Sequence, residues 1–71
     1  MTFEDEVQNI SKRIKELRES FSMTQRDLAN TLEIRTNYLS LLENGKRTPS
    51  VSLLYRMGTV FEVPLEYFFL K

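Results

Sequence analysis

"TQRDLANTLEIRTNYLSLLENGKRTPS", residues 24–50, decides the fold. It opens on a helix-start signature: Thr24 is an N-cap, Asp27 stands at the third helical position, and Met23 and Leu28 occupy the two ends of a hydrophobic staple. Ala29 is small and lets a second helix approach closely. This first short helix has about eight residues before "LEIR" ends it. Another short helix covers residues 36–43, with Leu39 and Leu42 inward and Gly45 supplying a left-handed stop after Asn44. "GKRTPS" reads as a loop.

Upstream, Phe3, Val7, Ile10, Ile14, Leu17 and Phe21 recur at spacings of four and three, the stripe of a long amphipathic helix. Thr2 and Asp5 form a capping-box pattern, and Glu4, Asp5 and Glu6 lie in the first turn, where the helix dipole favours acids. A stripe this regular suits the core face of one helix or a short coiled-coil seam. Downstream, Pro49 suits the first position of a fourth helix capped by Thr48, with Ser50 as the other possible cap. Val51, Leu54, Met57 and Phe61 mark its buried face, and Gly58 implies a close helix–helix contact. After Pro64, "LEYFFLK" gives a short fifth helix, with Leu65 and Phe68 completing the core. No strand pattern, repeat or linker interrupts this series.

Composition narrows the function. Seventy-one residues support one domain, residues 1–71, whose small core needs tight helix packing or a partner subunit. There is no cysteine and no histidine, so disulfides, thiolate metal sites and the usual nucleophile–base pairs are unavailable. No catalytic pattern of carboxylates replaces them, and neither an enzyme nor a metal or cofactor site is expected. No apolar run approaches the roughly 20 residues of a membrane span, and the acidic start is unlike a signal peptide. A cytoplasmic location follows as the expectation. Ten basic and ten acidic residues make the chain formally neutral, but the charge is segregated. Between Lys12 and Arg47 eight bases face five acids, and the balancing acids lie at residues 4–6 and at Glu62 and Glu66.

Two short helices joined by a tight turn with an apolar residue in it make a helix-turn-helix, here over about residues 24–43. With Gln25, Ala29, Ile34, Leu39, Leu42 and Glu43 in register, and "TQRDLA", "YLSLLENGKRTPS" and "VPLEYFF" at matching separations, the chain resembles the phage repressor/Cro family of helix-turn-helix proteins, the xenobiotic-response-element type. The resemblance runs from about Ile10 to Phe69. It implies an all-α, compact five-helix lambda-repressor-like domain whose third helix enters the major groove of double-stranded DNA.

Site residues follow from that resemblance. Thr36, Asn37, Ser40 and Leu41 fall where the family reads base edges. An asparagine can pair with adenine, and a threonine or leucine can pack on a thymine methyl. Gln25, Lys46 and Arg47 fall at phosphate-contacting positions, with Arg35 and Asn44 flanking the reading helix as phosphate or base contacts. Tyr38 can hydrogen-bond a phosphate or pack at the helix edge. Arg18 and Glu43 match a structural pair that joins the first helix to the third. Two residues depart from the pattern. Glu33 stands where glycine is usual, which demands an adjusted turn or a strained one. Arg35 replaces the usual cap, which could shift the helix start so that Thr36 becomes the cap.

The resemblance also implies a homodimer on a (pseudo)palindromic operator, as in a phage or mobile-element repressor or a restriction–modification controller protein. Seventy-one residues leave no room for a separate oligomerisation or effector domain, so a dimer must use the domain surface. Tyr67, Phe69 and Leu70, with Leu53 or Tyr55, are the candidates for that surface, and a seam along the first helix is the competing one. The alternative function is a protein–protein module, such as an antitoxin component.

Overall fold

The computed structural model of the protein describes residues 2–70. Its elements are α1 (Phe3–Ser20), α2 (Gln25–Leu32), α3 (Thr36–Glu43), α4 (Val51–Phe61) and a terminal 3-10 helix (Leu65–Phe69). Helix α2 packs on α3, α1 lies across α3 and the 3-10 helix, and α4 closes against the 3-10 helix. The core between them contains Ile10, Ile14, Leu17, Leu28, Leu32, Leu39, Leu42, Leu54, Met57, Phe61 and Phe68. No described helix is long and apolar enough to cross a membrane.

Each helix starts where a short polar side chain or an extended residue ends the preceding loop. Capping boxes are complete at both Thr2–Asp5 and Thr24–Asp27. The hydrogen bonds that Asp27 accepts from the Thr24 backbone and hydroxyl hold its carboxyl below the ordinary aspartate range. At α4 the cap is Ser50, whose hydroxyl accepts from the Leu53 N–H at 3.0 Å. Helix α4 therefore begins at Val51, and Pro49 precedes the cap instead of opening the helix.

All four α-helices end in one way. A residue with positive φ follows the last turn, and the next N–H reaches back to the carbonyl five residues earlier, the Schellman arrangement. The left-handed residues are Ser22 (φ 56°), Glu33 (58°), Gly45 (72°) and Glu62 (58°). The returning bonds are Met23 to Arg18, Ile34 to Ala29, Lys46 to Leu41 and Val63 to Gly58, at 2.9–3.1 Å. The last of these explains Gly58. A Cβ there would stand 2.7 Å from the Val63 carbonyl oxygen, so the tight contact is with the chain's own returning cap and not with a neighbouring helix.

Several expectations are corrected. Val51 is 62% exposed, whereas Leu53, a candidate for the dimer surface, is only 5% exposed and belongs to the core. A stripe through residues 54, 57 and 61 can widen toward 51 or toward 53, and only 53 lies over neighbouring helices. Phe3 lies beyond the core end of α1 and is 73% exposed. Phe21 is exposed too, but stacks edge-on against Phe61 with centroids 5.0 Å apart. Because Ile10, Ile14 and Leu17 are spent on the core, no apolar seam remains along the middle of α1. The fifth helix is a 3-10 turn built on i→i+3 bonds from Tyr67 to Pro64 and from Leu70 to Tyr67. Leu70 leaves it extended, its carbonyl accepting from Asn9 Nδ2 at 2.8 Å and Arg13 Nε at 3.1 Å. The expected last residue of that helix, Lys71, lies outside the described residues.

Candidate nucleic-acid interface

The turn between α2 and α3 has three residues. Glu33 adopts φ 58° and ψ 42°, so the glutamate takes the left-handed conformation that glycine takes more cheaply, and the turn keeps its shape. The Glu33 N–H bonds the Asn30 carbonyl and the Ile34 N–H bonds that of Ala29, while the Ile34 side chain packs on the core. From α4, Arg56 Nη2 donates to the Leu32 carbonyl, capping the negative end of α2 beside the strained residue. Arg35 is the N-cap of α3 by backbone conformation alone, without a side-chain bond. The helix start does not shift, and Thr36 is its first helical residue.

Helix α3 is divided by face. Leu39, Leu42 and Glu43 are buried; Thr36, Asn37 and Asn44 are exposed; Tyr38, Ser40 and Leu41 are half-buried between them. The Asn44 amide reaches the Ser40 hydroxyl at 3.4 Å, one turn away. A groove of about 750 Å³ runs along the outer side and brings together Arg35, Asn37, Tyr38, Leu41 and Arg47, with Thr48 on its rim. Tyr38 packs against the core and also lines this groove. Thr36, Ser40 and Asn44 lie outside the groove lining, and Lys46 lies in a neighbouring groove against the start of α1. Glu33, Ile34 and Thr48 also line this groove; the sequence marks the first two only as turn residues and Thr48 only as a possible cap.

Behind the exposed face lies a buried charge pair. Arg18 Nε and Nη2 grip the two Glu43 oxygens at 2.7 and 3.0 Å in a bidentate fork, with side chains only 10% and 2% exposed. Arg18 Nη1 also donates to the Met23 carbonyl at 2.8 Å. The hydrogen bond to Glu43 raises the Arg18 pKa above its ordinary value, so the guanidinium stays charged throughout the working range. Gln25 joins the cluster, its Nε2 donating to Glu43 Oε1 at 3.1 Å. A carboxylate can only accept, so the amide nitrogen must face Glu43. Gln25 thus spends one of its amide donors inside the protein.

The comparisons with known proteins agree with this architecture. Residues 14–68 match the family model HTH_3, described as helix-turn-helix. The chain belongs to the HTH_3 family. It therefore carries a DNA-binding helix-turn-helix of the Cro/C1 type. An uncharacterized HTH-type transcriptional regulator of Archaeoglobus fulgidus is 41% identical over 58 residues, covering 82% of each chain. The HTH-type transcriptional regulator ImmR of Bacillus subtilis is 32% identical over 59 residues, 83% of this chain and 46% of that protein. Among solved structures, an HTH_3 family transcriptional regulator from Vibrio cholerae superposes with a TM-score of 0.84 over 96% of this chain at 22% identity, a likeness of fold. This chain spans 38% of the length of that structure.

Proposed function

We propose that this HTH_3 protein is a transcriptional regulator that binds a specific double-stranded DNA sequence as a homodimer, each copy laying α3 in the major groove of one half-site. The observation that carries this reading is the groove along α3, in which base-edge chemistry (Asn37, Leu41) and phosphate-binding charge (Arg35, Arg47) occur side by side. The description of the Archaeoglobus and Bacillus relatives as transcriptional regulators supports it. Size supports two-fold binding as well. The molecule measures 32 × 24 × 21 Å, close to the spacing of about 34 Å between half-sites one DNA turn apart, so one copy fits per turn. The systems proposed for it are a phage or mobile-element repressor or a restriction–modification controller.

Selection of bound duplexes from a random pool tests this reading, because it reports binding, symmetry and half-site spacing together. The expected result is a two-fold-related motif whose affinity falls steeply as salt rises, since phosphate neutralisation releases counterions. On that motif, Asn37→Ala should relax preference at one base pair per half-site, a discrimination of about 1–3 kcal/mol. Lys46→Ala should instead weaken all duplexes alike and lower the salt slope by about one. Identical behaviour of the two variants would refute the division of roles, and a pool with no enriched sequence would refute the function.

A further inference from the structure

Lys46 and Arg47 stand on a ridge between two grooves. On one side Arg47 lines the α3 groove just described. On the other, in a groove of about 460 Å³, Gly45, Lys46 and Arg47 face Glu4, Asp5 and Gln8 of the first turns of α1. The proposed phosphate-binding cations therefore share a groove with two carboxylates of their own chain. Asp5 is accounted for by its cap, since it accepts from the Thr2 N–H at 3.2 Å. Glu4 is exposed, takes no part in that cap, and lines the same groove. We infer that Glu4 is an intramolecular competitor for the phosphate backbone: it occupies the field of Lys46 and Arg47 in the free protein and repels phosphates docked on them.

This inference rests on the DNA-binding reading above and specifies how that binding is tempered. A phosphate held by Lys46 or Arg47 would share this groove with the Glu4 carboxylate, and like charges closer than the Debye length of about 8–10 Å are not fully screened at moderate salt. The effect touches no base edge. It lowers the sequence-independent grip on any duplex and leaves discrimination to α3, which shortens residence on random DNA. Part of the formal neutrality of the chain lies in this arrangement, since Glu4 places negative charge beside the cations proposed to hold phosphate.

The test is a salt series of duplex affinities, measured by fluorescence anisotropy on the full chain, with a selected operator and a random-sequence duplex as probes. Four proteins are compared: wild type, Glu4→Gln, the Lys46→Ala/Arg47→Ala double variant, and that double variant carrying Glu4→Gln. Glu4→Gln should tighten both duplexes by a similar factor, about two- to fivefold at low salt, and the gain should shrink as salt rises. In the double variant the same change should have no effect. An unchanged affinity on Glu4→Gln, a gain on one duplex only, or a gain that survives loss of both cations would each overturn the inference. Wild type that binds no duplex at any salt would instead overturn the DNA-binding reading, and the competitor role with it.

Discussion

At Glu43 one carboxylate serves three elements, accepting from Arg18 of α1 on both oxygens and from Gln25 of α2 on one of them, while it belongs to α3. Such a site is worth little as a pair but costs much to break, because removing one partner leaves a buried charge unsatisfied. Glu43→Gln should therefore destabilise the domain by about 3–5 kcal/mol. That is a large part of the roughly 4–10 kcal/mol expected for a chain of this length. Urea unfolding would read this as a lower midpoint at unchanged slope. A loss below about 1 kcal/mol would mean that the pair behaves as a solvated one. The α3 residues were legible in the sequence because their relations are local: Leu39 and Leu42 inward, Asn37 outward. The Gln25 contact was not, because nothing in an isolated N-terminal glutamine shows that a carboxylate 18 residues later folds back on it.

Helix ends are where the backbone stores strain. Left-handed backbone costs an ordinary residue about 1–2 kcal/mol, yet three of the four Schellman caps use serine or glutamate. The sequence exposed Glu33 as irregular but left open whether the turn adjusts or is strained. What supports the strain sits elsewhere in the chain, in the Arg56 bond to the Leu32 carbonyl and the Ile34 anchor in the core. Glu33→Gly should remove the strain at some entropic cost in the unfolded chain, for a net gain of up to about 1 kcal/mol. That corresponds to about 4–8 °C in thermal midpoint. A midpoint unmoved or lowered by calorimetry would show that the Glu33 side chain contributes more than its backbone costs. Element boundaries were the less readable part. Thr48 and Ser50 are both competent caps, and the helix opens after Ser50.

At the scale of the molecule, packing removes some candidates for self-association and keeps others. Leu53 is consumed by the core, the ring of Tyr67 lies 5.1 Å beneath the Arg13 guanidinium, and the α1 stripe faces inward. Tyr55, Phe69 and Leu70 remain exposed. For the homodimer proposed above, the expected outcome is that either Tyr55→Ser or the Phe69→Ser/Leu70→Ser pair weakens association by sedimentation while monomer melting stays unchanged. Were both sets to leave the dimer intact, neither face is its seam. The layout of helices was readable because caps and stripes are written locally. The placement of the last residues was not, since Asn9 and Arg13 capture a backbone carbonyl 61 and 57 residues away, and backbone carbonyls have no sequence signature.

The brevity of α3 has a thermodynamic consequence. Eight residues are too few for a stable helix on their own, where about 12–15 are needed. Leu39, Leu42 and Glu43 fix it from the inside. The helix therefore meets its ligand already ordered, and complex formation carries no coil-to-helix transition in this segment. Its heat-capacity change should then track the apolar and polar area that the two surfaces hide from water, with no folding contribution from this segment.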